Sequence, residues 1–185
     1  MIQRIQSIYL VLAVCAVALC FMFPVAVFEA SGDGVDTRVV SQLYLVPRVD
    51  SAEVDVLRQV EQGEPIITMP QRGAAVTWPL AAVAALVGLL ALISIFLFKN
   101  RTVQVRVVAC AFLLNVGYLF VIFIGLVDRY SDRVARIGSM VQAPWVETTF
   151  SVATWAAAAS LLLLFLAQRA IKRDEARVRA ADRLR

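Results

Sequence analysis

Few residues in this chain have the types and spacing that chemistry requires. Asp50, Glu53 and Asp55 are the only dense acidic group, and an enzyme or transporter would need them as a convergent polar site. The Asp50–Glu53 spacing also resembles a helix capping box, so a solvated helix start is the simpler interpretation. Asn115 and Tyr118 lie on one face of an apolar helix and form a possible intramembrane polar site. A packing role for Asn115 competes with a ligand or ion site.

Other chemistry is disfavoured by the residues that are missing. The chain has no histidine, which removes the commonest general base and transition-metal ligand. It contains neither a phosphate-binding loop nor a nucleophile elbow. The three cysteines lie in apolar runs, where thiols stay protonated and serve packing. We therefore assign no catalytic residue, no metal ligand and no cofactor, and we predict that the protein is not an enzyme.

The composition indicates an integral membrane protein. Of 185 residues, 61% are hydrophobic and 17% are charged, whereas a soluble domain is about half apolar and about a quarter charged. Four apolar runs without Asp, Glu, Lys or Arg are long enough to cross a bilayer as helices, at residues 8–28, 78–98, 107–127 and 149–167. The predicted fold is an all-α four-transmembrane-helix bundle. Ion- or proton-coupled transport is disfavoured because the runs carry no ionisable side chain that could serve a relay.

The charges between the runs predict the orientation. The segments before the first run, between the second and third, and after the fourth carry +1, +3 and +4, whereas the other two loops carry −4 and 0. The positive-inside rule then places both termini in the cytoplasm. We expect a multi-pass protein of the bacterial inner (cytoplasmic) membrane, with loop 29–77 on the outer or periplasmic side.

The outer loop is too long to be only a connector. Residues 38–46 read as a strand and residues 64–69 as a second extended segment. Between them, a short helix is predicted from Asp50 to Gly63, with one apolar face formed by Val54, Leu57 and Val60. This gives a small α/β outer cap. In the loop 128–148, the helical spacing of Val134, Ile137 and Val141 predicts a short interfacial helix.

Small residues at i, i+4 spacing allow membrane helices to approach closely. Such residues occur in the outer halves of the second and fourth runs, so we predict that these two spans pack together there. Generic apolar filling and a face for a partner's helix are the alternatives. The predicted packing residues are Ala84, Gly88, Ala153, Ala157 and Ser160.

The segment 168–185 is basic and is predicted to continue the fourth span as a cytoplasmic helical tail. Its acid-first i, i+3 and i+4 pairs favour a solvated helix. A functional interpretation is contact with anionic lipid or with an acidic partner. Nothing beyond charge favours nucleic acid, which is not expected as a partner. The basic residues considered are Lys172, Arg173, Arg177, Arg179, Arg183 and Arg185.

Three stretches together carry a family resemblance. They are the start MIQRIQSIYL, the inner hairpin FKNR followed by Val105-Arg106, and the end of the chain from Ala170 to Arg185. The chain resembles a family of four-span membrane proteins of unknown function from Bacteroidota, domain-of-unknown-function family 4293. The resemblance implies that bacterial group and an inner-membrane location. It implies no activity and no functional residues.

The leading prediction is a non-catalytic accessory or scaffold subunit of a membrane complex. Its contacts would be membrane lipids and a protein partner bound through the outer loop or the C-terminal tail. The alternative is a lipid- or small-molecule-binding protein with a pocket between the spans, near Asn115 and Tyr118. An enzyme or transporter is a third alternative, for which only the acidic group of the outer loop offers a site.

Overall fold

The structure is a computed structural model, and it describes residues 3–31, 37–46, 53–58, 67–70, 77–140 and 145–183. The chain divides into two compact units. The helical unit consists of Met1–Leu19, Ala82–Leu119 and Ala156–Arg185. The sheet unit consists of Cys20–Ala81 and Phe120–Trp155.

Five α-helices are described, and three helical stretches are long and apolar enough to cross a membrane. The helices are α1 Gln3–Met22, α2 Trp78–Phe96, α3 Arg101–Phe120, α4 Asp128–Met140 and α5 Val152–Arg183. The three stretches are Trp78–Phe96, Arg101–Arg136 and Val152–Val178. The apolar part of α1, Gln6–Met22, is shorter. The chain is thus a multi-pass membrane protein by helix length and composition.

Several predicted span boundaries are wrong. The first span was placed at 8–28, but α1 ends at Met22 and a strand begins at Ala26. Pro24 lies between them and has no N–H with which to continue a helix. Thr149 and Phe150, placed at the start of the fourth span, belong to a strand instead.

The second and third spans form the expected short hairpin. A single 3₁₀ turn, Leu97–Lys99, follows α2, and the N–H of Asn100 donates to the carbonyl of Leu97. Helix α3 begins at Arg101, so Arg101 and Arg106 lie inside its first two turns, whereas Lys99 lies in the 3₁₀ turn before it. At its other end α3 continues through a π-helical segment, Val121–Val127, into α4, and the backbone stays helical at both junctions. The helix that carries the third apolar run therefore continues beyond residue 127.

Each long helix of the helical unit buries one stripe of residues spaced three and four apart. This spacing is the seam of a left-handed helical bundle. The stripes are rich in small and polar side chains, and the bulkiest apolar side chains include many exposed ones, as expected for a surface that faces lipid. The buried stripes are Gln6, Leu10, Ala13 and Val17 on α1; Ala84, Val87, Ala91 and Ser94 on α2; Gln104, Val108, Ala111, Asn115 and Tyr118 on α3; and Ala157, Ser160, Leu164, Ala167, Ile171 and Asp174 on α5.

The sheet unit contains a five-stranded antiparallel sheet formed by two segments that are far apart in the sequence. Its strands are β1 Ala26–Ser31, β2 Thr37–Leu43, β3 Glu53–Arg58, β4 Ile67–Pro70 and β5 Trp145–Phe150. Their order is β4-β3-β2-β1-β5, so the first four strands form a meander and β5 adds to it from the distant loop. In this register Phe28 is opposite Ser41 on β2 and Thr148 on β5.

The predicted helix between Asp50 and Gly63 is wrong, and so is the strand–helix–strand cap. Residues 53–58 form β3, while both predicted helix ends lie outside the described residues. From Glu53 to Val56, acidic residues alternate with valines, a period of two that suits a half-buried strand. The spacing of Val54, Leu57 and Val60 suits a helix equally well, but hydrogen bonding to β2 and β4 stabilises the strand. The extended segments at 38–46 and 64–69 correspond to β2 and, in part, β4.

Helix α4 covers one face of the sheet. It packs against β1, β2 and β5. The rings of Tyr130 and Phe28 stack with centroids 6.1 Å apart, and Val134, one turn further along α4, is fully buried. Phe150 of β5 meets Phe123 of the π-helical segment at 5.1 Å. The structure confirms a helix in this loop, although Val141 lies outside the described residues and β5 was not predicted. Its position at the membrane interface stays a prediction.

Candidate functional site

Asn115 joins α3 to α5 in the interior of the helical unit. Its Nδ2 donates to Ser160 Oγ at 2.6 Å, with a longer contact of 3.5 Å to the carbonyl of Ala157. Ser160 Oγ donates in turn to the same carbonyl at 2.8 Å. Asn115 is 2% exposed. The amide hydrogens are therefore directed to the chain itself, as expected for a contact that holds two membrane helices together.

Tyr118, the other member of the predicted polar site, lies three residues further along α3 and is also buried. The two side chains thus share the inward face of α3, as their spacing predicted. Two of the predicted packing residues, Ala157 and Ser160, contribute to the same region because they contact Asn115.

Two of the other predicted packing residues, Gly88 and Ala153, have neighbours on α1. A Cβ atom on Gly88 would lie 3.2 Å from Val17 Cγ1, so α1 passes close to α2 at this glycine. The thiol of Cys20 donates to the carbonyl of Ala153 at 3.3 Å. Ala84 is buried. These contacts connect α2 to α1 and α5 to α1 and α3, and the direct approach of the second and fourth spans stays a prediction.

An ion pair near the far end of the helical unit was not anticipated. Arg101 Nη1 lies 2.9 Å from Asp174 Oδ2, which links the start of α3 to α5. The side chains of Arg101 and Asp174 are 28% and 11% exposed. We expected Asp174 to belong to a solvated i, i+3 pair with Arg177, but its described partner is Arg101. Ile171, one turn earlier, is fully buried and turns this part of α5 towards the bundle.

Two buried glutamines complete a polar layer at the same end of the unit. Gln104 Nε2 donates to the carbonyl of Ser94 at 3.0 Å, near the end of α2, where helix carbonyls lack partners within the helix. Gln6 Nε2 donates to the carbonyl of Ala170 at 3.4 Å. Together with Arg101 and Asp174 these residues form what we call the polar layer, which connects α1, α2, α3 and α5. The polar layer was not predicted from the sequence. A signal was present, because Gln104 and Asn115 lie on one face of α3, where the residues between them, Val108 and Ala111, are apolar.

The sheet unit has one face that α4 does not cover, here called the open face. The strand residues that alternation places on this face, opposite to Phe28, include Val27, Glu29, Gln42, Trp145, Glu147 and Thr149. Tyr44 Oη donates to Gln42 Oε1 at 3.0 Å. Glu29 and Glu147 stand directly opposite each other on neighbouring strands. Like charges in facing positions of neighbouring strands are unfavourable.

The acidic group singled out in the sequence is only partly described. Glu53 and Asp55 occupy alternate positions of β3, and Asp50 lies outside the described residues. By register, Asp55 falls in the same row across the sheet as Glu29 and Glu147. Within the described part of the chain, no group of three or more His, Cys, Asp or Glu residues could hold a metal ion.

The predicted tail is helical as far as Arg183, so the continuation of the fourth span is confirmed for the described residues. Lys172, Arg173 and Arg177 are exposed. Arg179 and Arg183 lie within α5, and Arg185 lies outside the described residues.

The chain matches a known protein family along almost its whole length. The family is described as "Domain of unknown function (DUF4293)", and the match covers residues 2–184. A search of curated proteins finds no match. The family resemblance carried by the two ends and the inner hairpin is thereby confirmed, and the chain belongs to the DUF4293 family.

Proposed function

We propose that this protein is a non-catalytic accessory or scaffold subunit of a complex in a bacterial inner membrane. In this proposal the chain crosses the membrane four times with both termini in the cytoplasm, and the sheet unit lies on the outer side. The short apolar length of α1 is compatible with a span because flanking residues and local thinning accommodate a shorter helix. The excess of Lys and Arg in the segments assigned to the inside supports this orientation.

The observation that carries the proposal is the open face of the sheet. Two loops far apart in the sequence are built into one sheet, and α4 closes only one side of it. Loops that only connect two helices would not need to form a sheet. Hydrogen bonds next to β1 also hold this sheet in place. The carbonyl of Val25 accepts hydrogen bonds from Ser151 N at 3.0 Å and Thr154 Oγ1 at 2.7 Å, which ties β1 to the start of α5.

The chemistry of the open face favours binding over catalysis. Its described side chains include two carboxylates, the amide of Gln42, the hydroxyl of Thr149 and the exposed ring of Trp145. The phenol of Tyr44 donates to Gln42. The facing pair Glu29 and Glu147 favours a partner surface that carries Lys or Arg, because complementary charge steers association and selects partners.

Site-specific photocrosslinking in native membranes tests this role. A photoreactive residue replaces Gln42 or Thr149 on the open face, and Leu113 on the lipid-facing side of α3 serves as the control. We expect both open-face positions to give one and the same protein adduct, Leu113 to give none of it, and Glu147→Lys to remove it. The proposal fails if the open-face positions give no protein adduct, or if Glu147→Lys leaves the adduct unchanged.

The alternative, a lipid or small-molecule pocket near Asn115 and Tyr118, has less support because the Asn115 amide is directed to Ala157 and Ser160. Asn115→Leu separates the two roles. A packing role predicts a loss of about 1 kcal/mol or less in stability and no change in co-purifying lipid. A pocket predicts that native mass spectrometry finds a defined ligand on the unaltered protein and not on the variant.

A further inference from the structure

We propose that the exposed face of α5 binds the headgroups of anionic phospholipids at the end of the helical unit that holds the polar layer. The surface is a basic stripe formed by Arg169, Arg173 and Arg177. This inference goes beyond the scaffold role and does not depend on it. It depends only on the chain being a membrane protein.

The rotation of α5 is fixed by its buried residues. Leu164, Ala167, Ile171 and Asp174 are spaced three and four apart and form the inward stripe. The last of them is held by the ion pair with Arg101. A helix fixed in this way must present positions 169, 173 and 177 on its other side, because they lie four residues apart on the opposite face. All three arginines are exposed.

The basic stripe continues a surface that faces lipid. Leu162 lies two turns before Arg169 on the same face and is 62% exposed. An apolar surface that changes to arginine along one helix face matches a bilayer, in which hydrocarbon gives way to headgroups. Arginine also suits phosphate, because its planar guanidinium can donate two parallel hydrogen bonds.

The two acids within residues 169–177, Asp174 and Glu175, are turned away from the stripe. Asp174 is buried and paired with Arg101, and Glu175 is half-buried and has a contact of its own. The outward surface of residues 169–177 is therefore more positive than the net charge of these residues indicates. This arrangement favours an anionic ligand over the zwitterionic lipids that surround any membrane protein.

A further cation lies at the same depth on α3. Helices α3 and α5 run antiparallel and in step, because the Asn115–Ser160 and Arg101–Asp174 contacts are equally far apart on both helices. This register puts Arg106 level with Arg169, and Arg106 is also exposed. Two exposed arginines on neighbouring helices, Arg106 and Arg169, thus lie at one depth, where the basic stripe begins.

Native mass spectrometry of the full-length chain tests the proposal. The protein is equilibrated in detergent with equal amounts of phosphatidylglycerol and phosphatidylcholine, and the retained lipids are counted. We expect the unaltered protein to retain phosphatidylglycerol preferentially. Arg169→Gln/Arg173→Gln should lower this preference by up to about thirtyfold, since each basic residue near an anionic surface contributes about 1 kcal/mol.

Arg129→Gln/Arg136→Gln is the matched control. Both residues are exposed on α4, and the variant loses the same charge from the sheet unit. We expect it to keep the preference. The proposal is overturned if the unaltered protein shows no preference, or if both variants lose it equally, because the second result would reflect net charge alone. Circular dichroism melting of both variants confirms that they remain folded.

Discussion

The helical unit and the sheet unit differ in whether their backbone hydrogen bonds are local or join distant segments of the chain. In the helical unit, each long helix satisfies its own backbone locally, and tertiary contacts only choose which stripe faces inward. In the sheet unit, every strand depends on a neighbour, and β1 pairs with β5 from more than one hundred residues away. The structure of a loop in a membrane protein therefore cannot be predicted from that loop alone when a second loop contributes a strand to its sheet.

The difference also appears in the kinds of residue that are buried. The sheet unit buries large apolar side chains such as Phe28 and Leu45, as a water-soluble domain does. The helical unit buries alanines, serines and amides along much of its stripes, because lipid already solvates the large apolar side chains. Substitutions in the two units should therefore lower stability for different physical reasons.

The largest effect is expected from Phe28→Ala. Phe28 is fully buried between the sheet and α4, and removing its ring leaves a cavity that costs about 3–5 kcal/mol. Hydrogen exchange of the reconstituted protein should show lost protection in β1, β2 and β5 and unchanged protection along α2 and α3. Thr149→Ala on the open face is the control and should change neither. Equal loss of protection in both units would contradict the division into two units.

A smaller loss is expected from Asp174→Asn in the helical unit. The variant leaves the half-buried Arg101 without its charged partner, and we expect a cost of about 2 kcal/mol, between the values for exposed and fully buried pairs. Arg101→Met/Asp174→Leu should recover most of this loss, because an apolar pair needs no desolvation of charge. Thermal unfolding in detergent measures both. A double variant that is less stable than Asp174→Asn would show that the ion pair contributes more than its geometry indicates.

The smallest effect is expected from Gly88→Ala. The added methyl group would meet Val17 at 3.2 Å, and we expect a loss of about 1 kcal/mol from overpacking. Adding Val17→Ala should restore most of it, because α1 then has room for the methyl group. The same thermal unfolding assay measures the coupling. If Val17→Ala gives no recovery, the limiting contact of Gly88 lies elsewhere, for example on the fourth span as the sequence predicted.

Many residues of the candidate site could be predicted from the sequence, but the hydrogen-bond and ion-pair partners of these residues could not. Asn115 and Tyr118 were recognised because polar residues stand out in an apolar run, and Ser160 was recognised because it is small. That Asn115 binds Ser160 depends on the register between α3 and α5, which no local pattern contains. Asp174 was assigned to a solvated helix because its nearest basic neighbours lie on the same helix. Its partner Arg101 is distant in sequence.

The sequence by itself determined the elements whose causes are local. Apolar runs become helices in a membrane because the backbone must satisfy its own hydrogen bonds there. Pro24 separates α1 from the first strand because it has no N–H. Only the tertiary structure decided between helix and strand at residues 53–58, joined β5 to β1, and turned Asp174 inward. These outcomes depend on pairing between segments far apart in the chain, where the gain from contact outweighs local preference.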